Sequence, residues 1–154
     1  MTEALTRVGG IPQVQRFFRA AGSVEIDKDD VRRFWEFVDE KTDDIAIAGR
    51  DTAKWNGRDV IAPQDLPITK GLQERMREFA KLGEADELRR LLRESLRRPP
   101  DDITFGEETE DVLIEVFGGI SIAVARTFRI VDDDVRNPTT AHWDRVFALS
   151  RLLL

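Results

Sequence analysis

The sequence predicts an all-α protein built from a short-long-short run of helices made twice, and three observations carry that prediction. Apolar residues hold a three-and-four spacing for about eight turns from Asp27 to Trp55, and a second such stripe runs from Glu107 to Asp132. Each long stripe is bracketed by two shorter amphipathic segments. Brief extended runs recur at matching places between them, so the two halves of the chain, residues 11–82 and 83–154, share one plan.

Composition sets the outer bounds. The 154 residues hold 24 Lys plus Arg against 30 Asp plus Glu, a net charge of −6, with 41% apolar and 35% charged residues. A chain of this length buries roughly 70% of its unfolded surface, enough for a real core. No apolar run approaches the ~20 residues that cross a bilayer. The opening MTEALTRVGG lacks the apolar stretch of a signal peptide, and there is no cysteine. The expectation is a cytoplasmic protein without disulfides, thiolate nucleophile or cysteine-bound metal. An acidic balance argues against a surface that wraps nucleic acid, so any DNA contact must be local.

The elements follow in order. Pro12 to Ala21 forms a short helix with Val14, Phe17 and Phe18 on one face and Gly22 as its stop. The first long helix takes Asp27 as N-cap, Asp29 and Asp30 in its first turn, and Val31, Phe34, Trp35, Val38, Thr42, Ile45 and Ala46 along its stripe. Asn56-Gly57 ends it. Asp65 is expected to cap the next helix, with Pro67 in the first turn and Leu72, Met76, Phe79 and Leu82 on one face. Residues 83–87 join the halves. In the second half, Glu84 to Leu96 stops at Pro99-Pro100, the long helix opens with Glu107, Glu108, Glu110 and Asp111 and closes beside Arg126 and Arg129, and Pro138 to Leu153 ends the chain. Val24-Glu25-Ile26, Asp59-Val60-Ile61, Asp102-Ile103-Thr104 and Val135-Arg136-Asn137 each offer a few extended residues for a short bridge.

Small residues lie near the middle of both long helices: Ala46, Ala48 and Gly49 in one, Gly118, Gly119 and Ser121 in the other. Glycine inside a helix costs about 1 kcal/mol against alanine, so a packing reason is expected. The expectation is that the two long helices cross there.

With these residues in view, the chain resembles the histone fold. The run AKWNGRDVIAPQDLPITKGLQE, residues 53–74, places Arg58 seven residues before Asp65. That pattern is similar to the second loop of a histone fold, where an Arg pairs with an Asp at the start of the third helix. Two copies in one chain resemble the small prokaryotic tandem histone-fold family of uncharacterised function, and the resemblance implies a single-chain pseudodimer. The second half departs from the pattern: Arg136 and Asp144 are eight apart with Pro138 between them, which puts a second clamp in question.

The loop at Asn56 to Asp65 therefore has two readings. In the first, Arg58 and Asp65 form a clamp that fixes the joint between helices, and Gly57 takes a positive φ. In the second, the same loop faces a DNA phosphate, as paired loops do in histones, with Lys54 and Arg58 as ligands. The resemblance implies that the first loop of one half pairs with the second loop of the other. Arg97, Arg98 and Thr104 would then fall near Lys54 and Arg58, with Lys28 and Arg136 as further phosphate candidates.

Other clusters point elsewhere. The arginines of residues 89–98 are read as a solvated face opposite the leucines, neutralising acids such as Glu84, Asp86 and Glu87. Asp39 with Asp43 and Glu40 with Asp44 make i,i+4 carboxylate pairs that read as an exposed acidic face rather than a cation site. His142, the one histidine, has no nucleophile or carboxylate at a familiar spacing and reads as a structural or surface residue. Trp35 and Trp143 fall at core spacing, whereas Trp55 lies close to the loop and stays open as a stacking residue. No phosphate-binding glycine loop is present. The chain is expected to be non-enzymatic, without metal or cofactor. Two functions remain open: a weak, non-specific contact to double-stranded DNA through the paired loops, which would associate the protein with the nucleoid, or an acidic module that binds another protein.

Overall fold

The computed structural model describes residues 10–96 and 103–153. Among these there are six helices, in the short-long-short order that the periodicity predicts, and two very short strands. Helix α1, Ile11–Gly22, leads into α2, Lys28–Trp55; strand β1, Val60–Ile61, and a 3-10 turn, Pro63–Asp65, lead into α3, Lys70–Lys81. Helix α4, Ala85–Ser95, is followed by strand β2, Thr104–Phe105, then the long α5, Glu107–Val131, and α6, Thr140–Leu153. No helix among the described residues is long and apolar enough to cross a membrane.

Local chemistry explains the boundaries. The Asp27 carboxylate accepts from the Asp30 N–H at 2.8 Å while the Asp30 carboxylate accepts from the Asp27 N–H at 2.9 Å, a reciprocal cap that satisfies two donors at the start of α2. At the other end Gly57 takes φ 71°, the left-handed turn expected of it. Gly22, by contrast, is the last residue of α1 and not its stop; Ser23 takes the left-handed conformation, with φ 55°. Gly22 is needed for another reason. A Cβ there would run into the backbone carbonyl of Ala125, so the glycine lets α1 touch the main chain of α5.

Asp65 does not cap the third helix. Leu66 precedes a proline and is held extended, at φ −76° and ψ 140°, because the following ring disfavours helical geometry at that position. The helix therefore waits until Lys70, and the Thr69 hydroxyl caps it by accepting from the Leu72 N–H at 3.2 Å. Asp65 is left free to turn back on the loop.

The glycines of the long helices also have partners other than those expected. Gly118 and Gly119 receive the ring of Phe79 and the chain of Met76, both from α3, while Gly49 receives Ile61 and Leu66. The small residues thus seat α3 across α5 and β1 against α2. The third helix of the first half occupies the gap in which the long helices were expected to cross.

One core results. Phe18 of α1 packs edge-on against Phe34 of α2 at 5.2 Å and against Phe128 of α5 at 6.4 Å, and Phe128 meets Trp143 of α6 at 4.8 Å. All four rings are fully buried, so aromatic contacts tie both halves into a single apolar cluster. Truncating any one to alanine would cost about 3–5 kcal/mol.

Candidate functional site

The loops between helices meet in two pairs. At one end, β1 lies parallel to β2 with Val60 opposite Thr104 and Ile61 opposite Phe105. The Thr104 N–H donates to the Asp59 carbonyl at 3.2 Å, and the buried Thr109 hydroxyl donates to the Ile61 carbonyl at 2.6 Å. At the other end the Glu25 N–H donates to the Arg136 carbonyl at 2.7 Å. In both cases the loop before one long helix pairs with the loop after the other.

The first pair holds the clamp. Arg58 donates through both terminal nitrogens to Asp65, at 2.6 and 2.7 Å, and to the Val60 carbonyl at 3.2 Å. The Ala62 N–H donates to the same carboxylate at 2.8 Å. The Asp65 side chain is 1% exposed against 35% for Arg58. The guanidinium holds the Asp65 carboxyl below the usual carboxylate range, opposing the upward push of its burial. Arg58 is thus largely committed to the joint. Lys54 is exposed one turn before it, Thr104 is exposed on the partner strand, and Trp55 stands 90% exposed between Lys54 and the turn. Arg97 and Arg98 lie outside the described residues.

The second pair is built differently. Lys28, the first residue of α2, and Arg136 are both exposed there. Arg136 and Asp144 do not form a second clamp: Asp144 instead lines a cleft with Arg33 and Arg151. The loop is fixed by His142, whose Nδ1 accepts from the Thr139 N–H at 2.9 Å. That assignment leaves Nε2 as the donor to Asp132, 2.9 Å away, and the contact holds the Asp132 carboxyl below its usual range. His142 is structural, as its isolation suggested, yet it does have a carboxylate partner, ten residues upstream.

Two arginines at this end escaped the sequence reading as site residues. Arg129 donates to the carbonyls of Ser23 at 2.9 Å, Asp133 at 3.1 Å and Gly22 at 3.4 Å, and Arg19 grips Glu25 at 2.7 and 2.9 Å. Both occupy the last turns of helices that enter the same loop pair. That shared position was the available signal. Together with Ser23, Glu25 and Arg136 they line a cleft of about 370 Å³.

Several other charges form ion pairs between helices. Arg89 of α4 makes paired bonds to Glu115 at 2.8 Å and one to Asp86 at 2.7 Å, and Arg93 pairs with Asp111 at 3.0 Å. Arg89 and Arg93 are therefore neutralised mainly by α5, while Glu87 pairs with Arg16 of α1. Glu40 is held by Arg151 at 3.0 Å, and Asp44 lies 3.3 Å from the buried ammonium of Lys41. Among the described residues no group of three metal-ligating side chains converges.

The fold recurs in solved structures. A crystal structure of a Thermus thermophilus protein superposes with a TM-score of 0.84 at 36% identity, covering 96% of this chain and 99% of that one. A crystal structure of an Aquifex aeolicus protein superposes with a TM-score of 0.82 at 23% identity, covering 96% and 97%, and shares the fold. Two uncharacterized proteins of Aquifex aeolicus (strain VF5) are 26% and 28% identical over 118 and 130 residues; these stretches are 77% and 79% of this chain and 69% and 78% of those proteins. A family described as a domain of unknown function (DUF1931) matches residues 14–151, and the chain belongs to that family.

Proposed function

We propose that the chain is a non-enzymatic, histone-like pseudodimer that contacts DNA phosphates weakly and without sequence preference through its paired loops. The observation that carries this reading is the reciprocal loop pairing, Val60 opposite Thr104 at one end and Glu25 against Arg136 at the other. With the short-long-short helix order made twice, it is the relationship expected of two histone-fold halves closed on each other. Exposed Lys54 and Thr104 at one pair, and Lys28 and Arg136 at the other, are the phosphate ligands; Arg58 contributes by holding its loop. The same reading puts the protein in the cytoplasm, on the nucleoid.

Charge reversal tests it. Lys54→Glu combined with Lys28→Glu, one ligand from each loop pair, lowers duplex affinity and removes part of the salt dependence, by about 0.9 in the log-log slope for each lost phosphate contact. Unchanged binding in that variant rules out the patch.

A protein partner is the second reading, favoured by one specific surface. Ile130, Leu152 and Leu153 are 78%, 81% and 78% exposed beside a groove of about 450 Å³ lined by Leu72, Ile120 and Leu149. The chain's net charge of −6 suits a basic partner better than it suits DNA, while the groove's own charged lining, Arg75 and Arg126, is paired with Glu74 and Glu78 and leaves its apolar area to carry the contact. Absence of any reproducible partner in pull-downs at physiological salt counts against it.

A further inference from the structure

The cleft between Arg19, Ser23, Glu25, Arg129 and Arg136 concentrates positive charge on a protein whose net charge is −6. Three guanidiniums face one carboxylate, and that carboxylate is occupied: Glu25 takes both of its strong bonds from Arg19. Arg129 is anchored through three backbone carbonyls, which orient its fork but carry no net charge. Among the described residues neither Arg129 nor Arg136 has a carboxylate within ion-pair distance. The lining therefore carries an excess of two positive charges, and the Ser23 hydroxyl adds a neutral donor.

Planar guanidiniums in a fixed orientation match tetrahedral oxyanions well, because they offer paired N–H groups. An anchored Arg129 also loses little side-chain freedom on binding. A volume of about 370 Å³ lies at the small end of ligand clefts, roughly 300–1,000 Å³, which suits a single phosphate group with little attached to it.

We propose that this cleft binds a phosphate group, gripped by Arg129 and Arg136 and completed by Arg19 as it shares its fork with Glu25. The phosphate is either a free phosphate or monoester or a phosphodiester of a nucleic-acid backbone; the cleft recognises the oxyanion common to both. The inference rests on the cleft alone and does not require the DNA reading.

The test is calorimetric titration of the full chain with inorganic phosphate at constant ionic strength, for wild type, Arg136→Ala and Glu25→Gln. Wild type shows saturable binding. Arg136→Ala weakens it about tenfold, the scale of one charge-assisted hydrogen bond. Glu25→Gln tightens it several-fold, because the competing carboxylate is gone; a gain cannot come from misfolding. Absence of saturable binding in wild type overturns the inference, as does an affinity that neither variant changes. A second arm adds a short DNA duplex to phosphate-loaded protein. Displacement identifies the backbone as occupant, and binding of phosphate that the duplex does not displace identifies a free phosphate site while sinking the DNA reading at this end.

Discussion

The indole N–H of Trp143 donates to the buried carboxylate of Asp30 at 2.7 Å, joining the last helix to the first turn of α2 across 113 residues of sequence. Asp30 also closes the cap of α2 with Asp27. One carboxylate thus starts a helix and ties the halves together.

Its environment makes the contact demanding. Burial pushes the Asp30 carboxyl above its ordinary range, and the indole is one of the donors that oppose this. Trp143→Phe keeps the aromatic bulk but leaves the carboxylate short of a donor, and is expected to lower stability by about 1–3 kcal/mol in urea unfolding. An unchanged midpoint would show that the bond contributes nothing.

Acid should loosen the Arg58 joint. The folded-state pKa of Asp65 is depressed by Arg58, so the unfolded chain takes up its proton first as pH falls. The stability that this clamp supplies is full above the unfolded carboxylate pKa, near 3.9. It is lost as pH drops through the folded value. Asp65→Asn is expected to be less stable than wild type at pH 7 and to converge on it toward pH 3, measured by denaturant midpoints across that range. Parallel pH curves would mean that Asp65 titrates alike in both states.

Two glycines give opposite responses to alanine. At Gly22 the added methyl meets the main-chain carbonyl of Ala125, which cannot move aside without shifting α5. Gly22→Ala is expected to cost about 1–3 kcal/mol, as overpacking does. Gly71, in the first turn of α3, has open space around it, and Gly71→Ala gains up to about 1 kcal/mol of helix propensity. Thermal midpoints that move in the same direction for both would contradict this packing.

The three tryptophans separate cleanly by exposure: Trp35 is 1%, Trp143 0% and Trp55 90% exposed. Iodide is therefore expected to quench one emitting component out of three in the native protein. Trp55→Phe should abolish that component without a change in thermal midpoint. Residual quenching in the variant would place a second indole at the surface.

What was legible in the sequence was local. Asp27 as a cap, Gly57 as a positive-φ turn and Arg58 with Asp65 all act within seven residues or fewer, and periodicity shows six helices though not where the third begins. The third helix was misplaced because two rules conflicted at Asp65-Leu66-Pro67: an acidic cap favours starting a helix there, while proline forbids its predecessor the helical geometry. The glycine partners were hidden for another reason. Which surface fills a gap at Gly118 depends on where α3 is laid across α5, and no spacing in the chain records that. In the sequence Arg129 shows only as a favourable charge at a helix end, since its carbonyl partners at Gly22 and Ser23 lie more than a hundred residues away.

The most direct test of the proposed function is fluorescence anisotropy of a labelled generic duplex titrated with this protein from low to physiological salt. The paired-loop reading predicts saturable binding that weakens with salt, with a log-log slope of roughly −2 to −4 for a few phosphate contacts. No binding at the lowest salt would contradict it, leaving the apolar groove beside Ile130 and Leu153 and the cleft of Arg129 and Arg136 as the surfaces on which function is to be sought.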